Sequence, residues 1–207
     1  RYQEVTGVQT CALPISTGIK DNLPPFDGLL PCLGKSIFVC PDCDGYEILD
    51  KAALVIGSGN AGASMALTLT YWTQELTFIN HGIGEIDADL RGKLFEKGVR
   101  LVTDEVLEIH VDGSNFNGVT LVNGERIECC FAFLAFGGNK PNTDLAFQLG
   151  VELEGNKHIL VDSRTKMTSM ENVWAAGDII VHSEQAAIAM GDGIQAAIWI
   201  HKSLLES

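Results

Sequence analysis

The sequence predicts an α/β protein organised around a parallel sheet, and three observations carry that prediction. A short apolar run, "KAALVI" (51–56), passes directly into a glycine turn and an apolar stretch, "GSGNAGASMALTLTYW" (57–72), and a second apolar run, "ELTFIN" (75–80), follows. Further on, short apolar runs are separated by Asp112-Gly113 and Asn123-Gly124, the dipeptides of tight hairpins. The final third combines short strand-like runs with a long apolar stretch of helical character.

Bulk properties narrow the function. The 207 residues are 46% hydrophobic and 20% charged, as in a globular protein. Asp and Glu outnumber Lys and Arg by 27 to 14, a net charge of -13, and no basic run is present to follow a phosphate backbone, so nucleic acid is not an expected partner. The most apolar run, "CCFAFLAFGG" (129–138), reaches glycine after eight residues, far short of the roughly 20 that cross a bilayer.

Taken in order, residues 1–16, "RYQEVTGVQTCALPIS", lack an initiating methionine, a signal pattern and any helical or strand periodicity. "GVQTCALPIS" looks like a translated sequencing adapter, so this stretch is read as non-native, with the natural chain cut before Thr17 and Cys11 of no functional meaning. Residues 40–45, "CPDCDG", then place two cysteines three positions apart around a proline. Next, Gly57, Gly59 and Gly62 satisfy G-x-G-x-x-G between a strand and a helix, the setting in which that spacing binds a dinucleotide. The first glycine permits the turn, the second lets backbone approach a pyrophosphate at the helix N-terminus, and the third lets helix and strand pack closely. Ser58, Asn60 and Ala61 complete the loop.

At the end of the second strand an acid would bond a ribose 2′-hydroxyl and an arginine would accept a 2′-phosphate. Asn80, His81 and Gly82 supply neither, which leaves Asn80 to bond a ribose hydroxyl, favours NADH over NADPH, and makes His81 a surface histidine. "VRLVT", "EVLEIHV", "GVTLV" and "RIECCFAFLAF" read as strands of a small meander beside the parallel sheet. A breaker, "GGNKPN", sets a domain boundary near Gly137 and is followed by a short helix. Strands are expected at His158–Val161 and Val173–Ala176, the latter ending in Gly177-Asp178, and a helix from about Glu184 to the C-terminus.

Those landmarks, in that order, resemble the low-molecular-weight thioredoxin reductase family of FAD- and NAD(P)-dependent pyridine nucleotide-disulfide oxidoreductases. "STGIKDNLPPFDGLL" is similar to the end of the flavin domain, "CPDCDG" to the redox pair and its following acid, and "GSGNAG" to the nucleotide loop. "FGGNKPNTDL" resembles the return crossing, "VWAAGD" the strand at the flavin ribityl chain, and "EQAAIAMGDG" the helix start beneath the isoalloxazine. The resemblance implies a three-layer, Rossmann-like nucleotide-binding domain with a parallel sheet and a β-meander (33–136), inserted in an incomplete FAD-binding domain (17–32 and 137–207). The family's first glycine motif, which holds the ADP half of FAD, is expected before Thr17, so the chain alone is expected to hold FAD poorly and to be inactive.

Three chemistries compete for Cys40 and Cys43. Structural zinc wants four N or S ligands; there is one knuckle here, and Cys129 and Cys130, read as neighbours on a strand, would point to opposite faces. Cys129, Cys130 and Cys32 read instead as small buried hydrophobes and a linker residue, and no metal is expected. A static disulfide conflicts with the cytoplasmic setting expected of an acidic chain without a signal, which favours a redox-active pair. Pro41 suits the first position of a helical turn capped from Cys40, whose amides favour a Cys40 thiolate, whereas Asp42 and Asp44 oppose it.

By position, the resemblance makes Cys43 the flavin-proximal sulfur, Cys40 the interchange thiol and Asp44 the acid/base. It makes Gly177 and Asp178 ribityl ligands, and Gln185 and Ala186 the helix amides that stabilise negative charge on reduced flavin. Ser16 stands where the family has alanine, Glu184 and His81-Gly82 where it has basic residues, and Pro41 and Asp42 where it has small ones. The expected substrate is therefore a thioredoxin-like protein or a small-molecule disulfide, with NADH or NADPH as donor and a homodimer in the full-length protein. The alternatives are a ferredoxin-fed flavin thioredoxin reductase and an inactive nucleotide-binding fragment.

Overall fold

The computed structural model describes residues 12–206; Cys11 lies outside them. In chain order the elements are β1 (Leu13–Ile15), β2 (Ile19–Lys20), α1 (Leu29–Cys32), β3 (Ile37–Phe38), α2 (Pro41–Asp44), β4 (Ala53–Gly57), α3 (Gly59–Leu69), β5 (Leu76–Asn80) and α4 (Ala88–Glu96). They continue with β6 (Arg100–Val102), β7 (Val106–Asp112), β8 (Asn115–Leu121), β9 (Arg126–Ile127), β10 (Ala132–Ala135), β11 (Lys140–Pro141), α5 (Asp144–Gln148), β12 (Val173–Ala175) and α6 (Ala186–Glu206). The chain divides into a continuous unit, Asn22–Gly138, and a discontinuous one made of the residues through Asp21 and Asn139 onward.

In the continuous unit, β3, β10, β4, β5 and β6 form a parallel sheet in that order. All five residues of β4 are buried, as a strand covered on both faces requires. Alternation sorts them. Leu54 and Ile56 join Ile79 in a cluster with Val106, Phe116 and Val119 of the three-stranded antiparallel sheet β7-β8-β9, whereas Ala53 and Val55 pack with Ala63, Ala66 and Leu94 of α3 and α4. The result is three layers, helices over parallel sheet over meander. Each buried aliphatic side chain stabilises this arrangement by about 1.5–3 kcal/mol.

Three strand readings need correction. "VRLVT" contributes β6 to the parallel sheet and not to the meander, because Thr77–Ile79 offer it a parallel partner. "RIECCFAFLAF" is two strands in two sheets: β9 closes the meander and β10 runs between β3 and β4. Cys129 and Cys130 lie in the crossing between them, with Cys129 buried and donating its Sγ–H to the Ala52 carbonyl at 3.3 Å, and Cys130 exposed. Cys32, read as a linker residue, is wholly buried in α1 against the meander cluster.

In the discontinuous unit, β1 pairs parallel with β12, Leu13 opposite Val173, and β2 pairs antiparallel with β11. Leu13–Ile15 thus form a strand inside a stretch that shows no periodicity; three residues are too few to show one, and β12 supplies the partner. The third correction is His158–Val161, which makes isolated bridges, Ile159 to Leu153 and Ile180 and Val161 to Thr168, and no continuous strand. A core of Ile15, Ala146, Val151, Ile159, Val173, Ala175, Ile179 and Ile180 lies beneath. Across this unit, Asp192 of α6 accepts from Lys166 Nζ at 2.9 Å and pairs with His182 Nε2 at 2.5 Å. Among the described residues no helix is long and apolar enough to cross a membrane.

Candidate functional site

Cys40 and Cys43 are joined as a disulfide, with Cα atoms 5.3 Å apart. Cys40 is the N-cap of α2: its extended backbone (φ -115°, ψ 113°) leads into Pro41 at the first helical position, and its Sγ accepts the Cys43 N–H at 3.2 Å. Proline lacks the N–H that would go unmatched there, so the sequence itself favours a one-turn helix between the two sulfurs. Asp42 is exposed and Asp44 half-buried. Burial, and then the neighbouring Glu47 carboxylate, pushes the Asp44 carboxyl above its ordinary value. Burial pushes the thiol of Cys129, which forms no disulfide, above its ordinary value.

The glycine loop joins β4 to α3 in the same unit. Gly59 begins α3 with φ +52°, a conformation open to glycine, and a side chain there would meet the Glu85 carbonyl. A Cβ on Gly62 would run into the Phe78 ring of β5, and one on Gly57 into the Ala135 carbonyl of β10. Ser58 caps α3 through its extended backbone alone, Ala61 is half-buried, and Asn60 uses both ends of its carboxamide on Asp87, donating to the carboxylate and accepting the Asp87 N–H, each at 2.9 Å.

Asn80 closes β5. It is 1% exposed, its Oδ1 accepts the Gly59 N–H and its Nδ2 donates to the Gly84 carbonyl, both at 2.8 Å. Its carboxamide ties the end of β5 to the start of α3, because the chain after β5 folds back over the glycine loop. His81 departs from the surface reading: its ring stands edge-on between Phe26 and Phe136, with centroids 5.5 and 5.7 Å away, and Nδ1 accepts the Val106 N–H at 2.8 Å. Neither role has a local sequence signal, since each depends on residues brought in from other elements.

Gly177, Asp178, Gln185 and Ala186 belong to the discontinuous unit. Gly177 turns the chain out of β12 with φ +81°, and a side chain there would meet Ser16 Oγ and Ala189 Cβ at 3.5 and 3.7 Å. Asp178 Oδ1 is buried and has no hydrogen-bond partner among the described residues. Gln185 precedes α6 and its carbonyl accepts the Ala189 N–H at 2.9 Å, which leaves Ala186 in the first turn. Glu184 is exposed and pairs with His158 Nε2 at 3.6 Å. The Lys166–Asp192–His182 cluster, which sequence reading missed, ties the turn after Asp178 to α6.

The family described as pyridine nucleotide-disulphide oxidoreductase matches residues 4–193. Thioredoxin reductase of Mycolicibacterium smegmatis is 32% identical over 183 residues, covering 84% of this chain and 58% of that protein. Thioredoxin reductase of Rickettsia felis is 30% identical over 183 residues, covering 83% of this chain and 58% of that protein. Among solved structures, HlmI superposes with a TM-score of 0.85 at 27% identity, covering 94% of this chain and 60% of that one. A putative thioredoxin reductase TrxB from Bacillus anthracis gives 0.79 at 27%, covering 94% and 65%.

A dinucleotide-type α/β fold carrying a disulfide closed across a one-turn helix defines a redox class. The chain belongs to the pyridine nucleotide-disulphide oxidoreductase family and is of its thioredoxin reductase-like kind. It spans a little over half the length of the thioredoxin reductases it matches.

Proposed function

We propose that the protein is a flavin-dependent disulfide reductase that passes electrons from NAD(P)H through FAD to the Cys40–Cys43 pair and on to a disulfide in a thioredoxin-like protein or small molecule. The observation that carries this reading is the Cys40–Cys43 disulfide at the cap of a one-turn helix with Asp44 beside it. FAD, when bound, supplies the electron pair that opens the disulfide. Gly177 and Asp178 would hold its ribityl chain, for which the unmatched Asp178 Oδ1 is a fitting acceptor, and the amides at Gln185 and Ala186 would face its ring. Gly57, Ser58, Gly59, Asn60, Ala61 and Gly62 would cradle the nucleotide pyrophosphate.

Cys43 would be the flavin-side sulfur of the pair, and opening the disulfide there would leave Cys40 as the thiolate that meets substrate. Cys40 attacks the substrate disulfide; a Cys40–substrate S–S bond forms, the substrate S–S bond breaks, and one substrate thiolate leaves with a proton from Asp44. The Cys43 thiolate then attacks Cys40 Sγ, restoring the internal disulfide and releasing the second substrate thiolate. The setting proposed is the cytoplasm, where a redox-active thiol pair can cycle, and the assembly a homodimer, as the family resemblance implies. The test is disulfide-reductase turnover of the full-length, FAD-loaded protein: Cys40→Ser and Cys43→Ser should each lower it by roughly 10³-fold or more. Full turnover in the double variant overturns the reading.

A further inference from the structure

We propose that residues 80–87 act as a specificity filter that admits NADH and rejects NADPH; this rests on the nucleotide site proposed above. In dinucleotide folds the residues at the end of the second strand meet the adenosine ribose, and a 2′-phosphate needs a cation there. Here that place is built without one. Asn80, through the Gly59 amide and the Gly84 carbonyl, clamps the following chain onto the loop, so closely that a Cβ on Gly59 would meet the Glu85 carbonyl at 2.7 Å.

The clamped segment carries Glu85 and Asp87 as its charged side chains, both exposed, and a 2′-phosphate would add its own negative charge beside them. His81 offers only Nε2, because Nδ1 accepts the Val106 N–H. The backbone is also strained where the apolar part of a ligand would lie. Gly82 and Ile83 are both left-handed, at φ +75° and +53°, and a β-branched residue holds that conformation only when its surroundings impose it. Ile83 is nevertheless 61% exposed, an apolar side chain held out in water beside the glycine loop, where it would pack on the adenine face. The segment thus combines an apolar platform, no cation and two carboxylates, which suits an adenosine with a free 2′-hydroxyl.

The experiment is equilibrium binding of NADH and of NADPH to the 207-residue chain, read from nucleotide fluorescence, with Glu85→Arg and Ile83→Arg alongside. NADH should bind at least tenfold more tightly. Raising salt from about 20 to about 200 mM should strengthen NADPH binding, because repulsion by carboxylates is screened; a cationic phosphate site would give the opposite sign. Glu85→Arg should raise NADPH affinity about tenfold and leave NADH within about twofold, and Ile83→Arg should weaken NADH while narrowing the preference. Equal or tighter binding of NADPH, or NADPH affinity that falls with salt, overturns the filter and leaves the nucleotide site standing. Binding of neither nucleotide, in a chain whose circular dichroism shows it folded, overturns the site itself and the filter with it.

Discussion

The two units solve the burial problem differently. Asn22–Gly138 is one continuous length of chain whose parallel sheet is covered on both faces by its own helices and its own meander, with two apolar clusters on either side of β4 and β5. The other unit is assembled from two separated lengths, has two-stranded sheets and isolated bridges, and gathers a single smaller core. It adds what the first unit lacks, a buried ionic cluster at Asp192, and its long helix leaves Met190, Ile194 and Leu205 in water. A layered sheet draws stability from many equivalent apolar contacts. The second unit combines a smaller apolar core with an ionic cluster.

That contrast can be broken most sharply inside the continuous unit. Phe78 is fully buried and its ring fills the space beneath Gly62, so Phe78→Ala should destabilise Asn22–Gly138 by about 3–5 kcal/mol, read as lost hydrogen-exchange protection in β4 and β5. If β12 loses as much protection as β4, the two units are not separate cooperative bodies.

Next in size is Asp192→Ala. It leaves Lys166 and His182 without their shared carboxylate and should loosen the discontinuous unit by about 3 kcal/mol, seen as exchange in α6 and β12 with β4 unaffected. Asp44→Asn tests chemistry against stability: turnover of the full-length protein should fall about 10²-fold while urea midpoints of both units stay put.

The smallest effect concerns acid. Burial raises the Asp192 carboxyl, but hydrogen bonds and charge from Lys166 and His182 outweigh it and hold the group below its ordinary 3.8. A carboxyl whose folded value is depressed stabilises the fold above its unfolded value and loses that contribution as pH falls through the folded one. Between about pH 5 and pH 2 the discontinuous unit should therefore weaken by more in the wild type than in Asp192→Asn, as followed by tryptophan fluorescence of Trp174 and Trp199.

Much of the architecture was legible because it is written locally. The strand, glycine turn and helix at 53–69, the hairpin turns at Asp112-Gly113 and Asn123-Gly124, and the proline turn between Cys40 and Cys43 each need only near neighbours. The break between β9 and β10 was hidden because an apolar run buried on all sides has no period to mark where it changes sheets. Asn80, His81 and the Lys166–His182–Asp192 cluster were hidden for another reason: their partners are tertiary, and a polar residue next to a motif looks the same in sequence whether it faces a ligand or locks the loop.

Asn22 donates its side-chain Nδ2–H to the Gly137 carbonyl at 3.0 Å, a bond between the entry and the exit of the continuous unit. That unit is one uninterrupted length of chain, and this clasp holds its two ends together. The excursion between Leu13 and Val173 thus runs through a body whose own two ends are joined, so once that body is formed the loop that β1 and β12 close is effectively much shorter and costs less entropy.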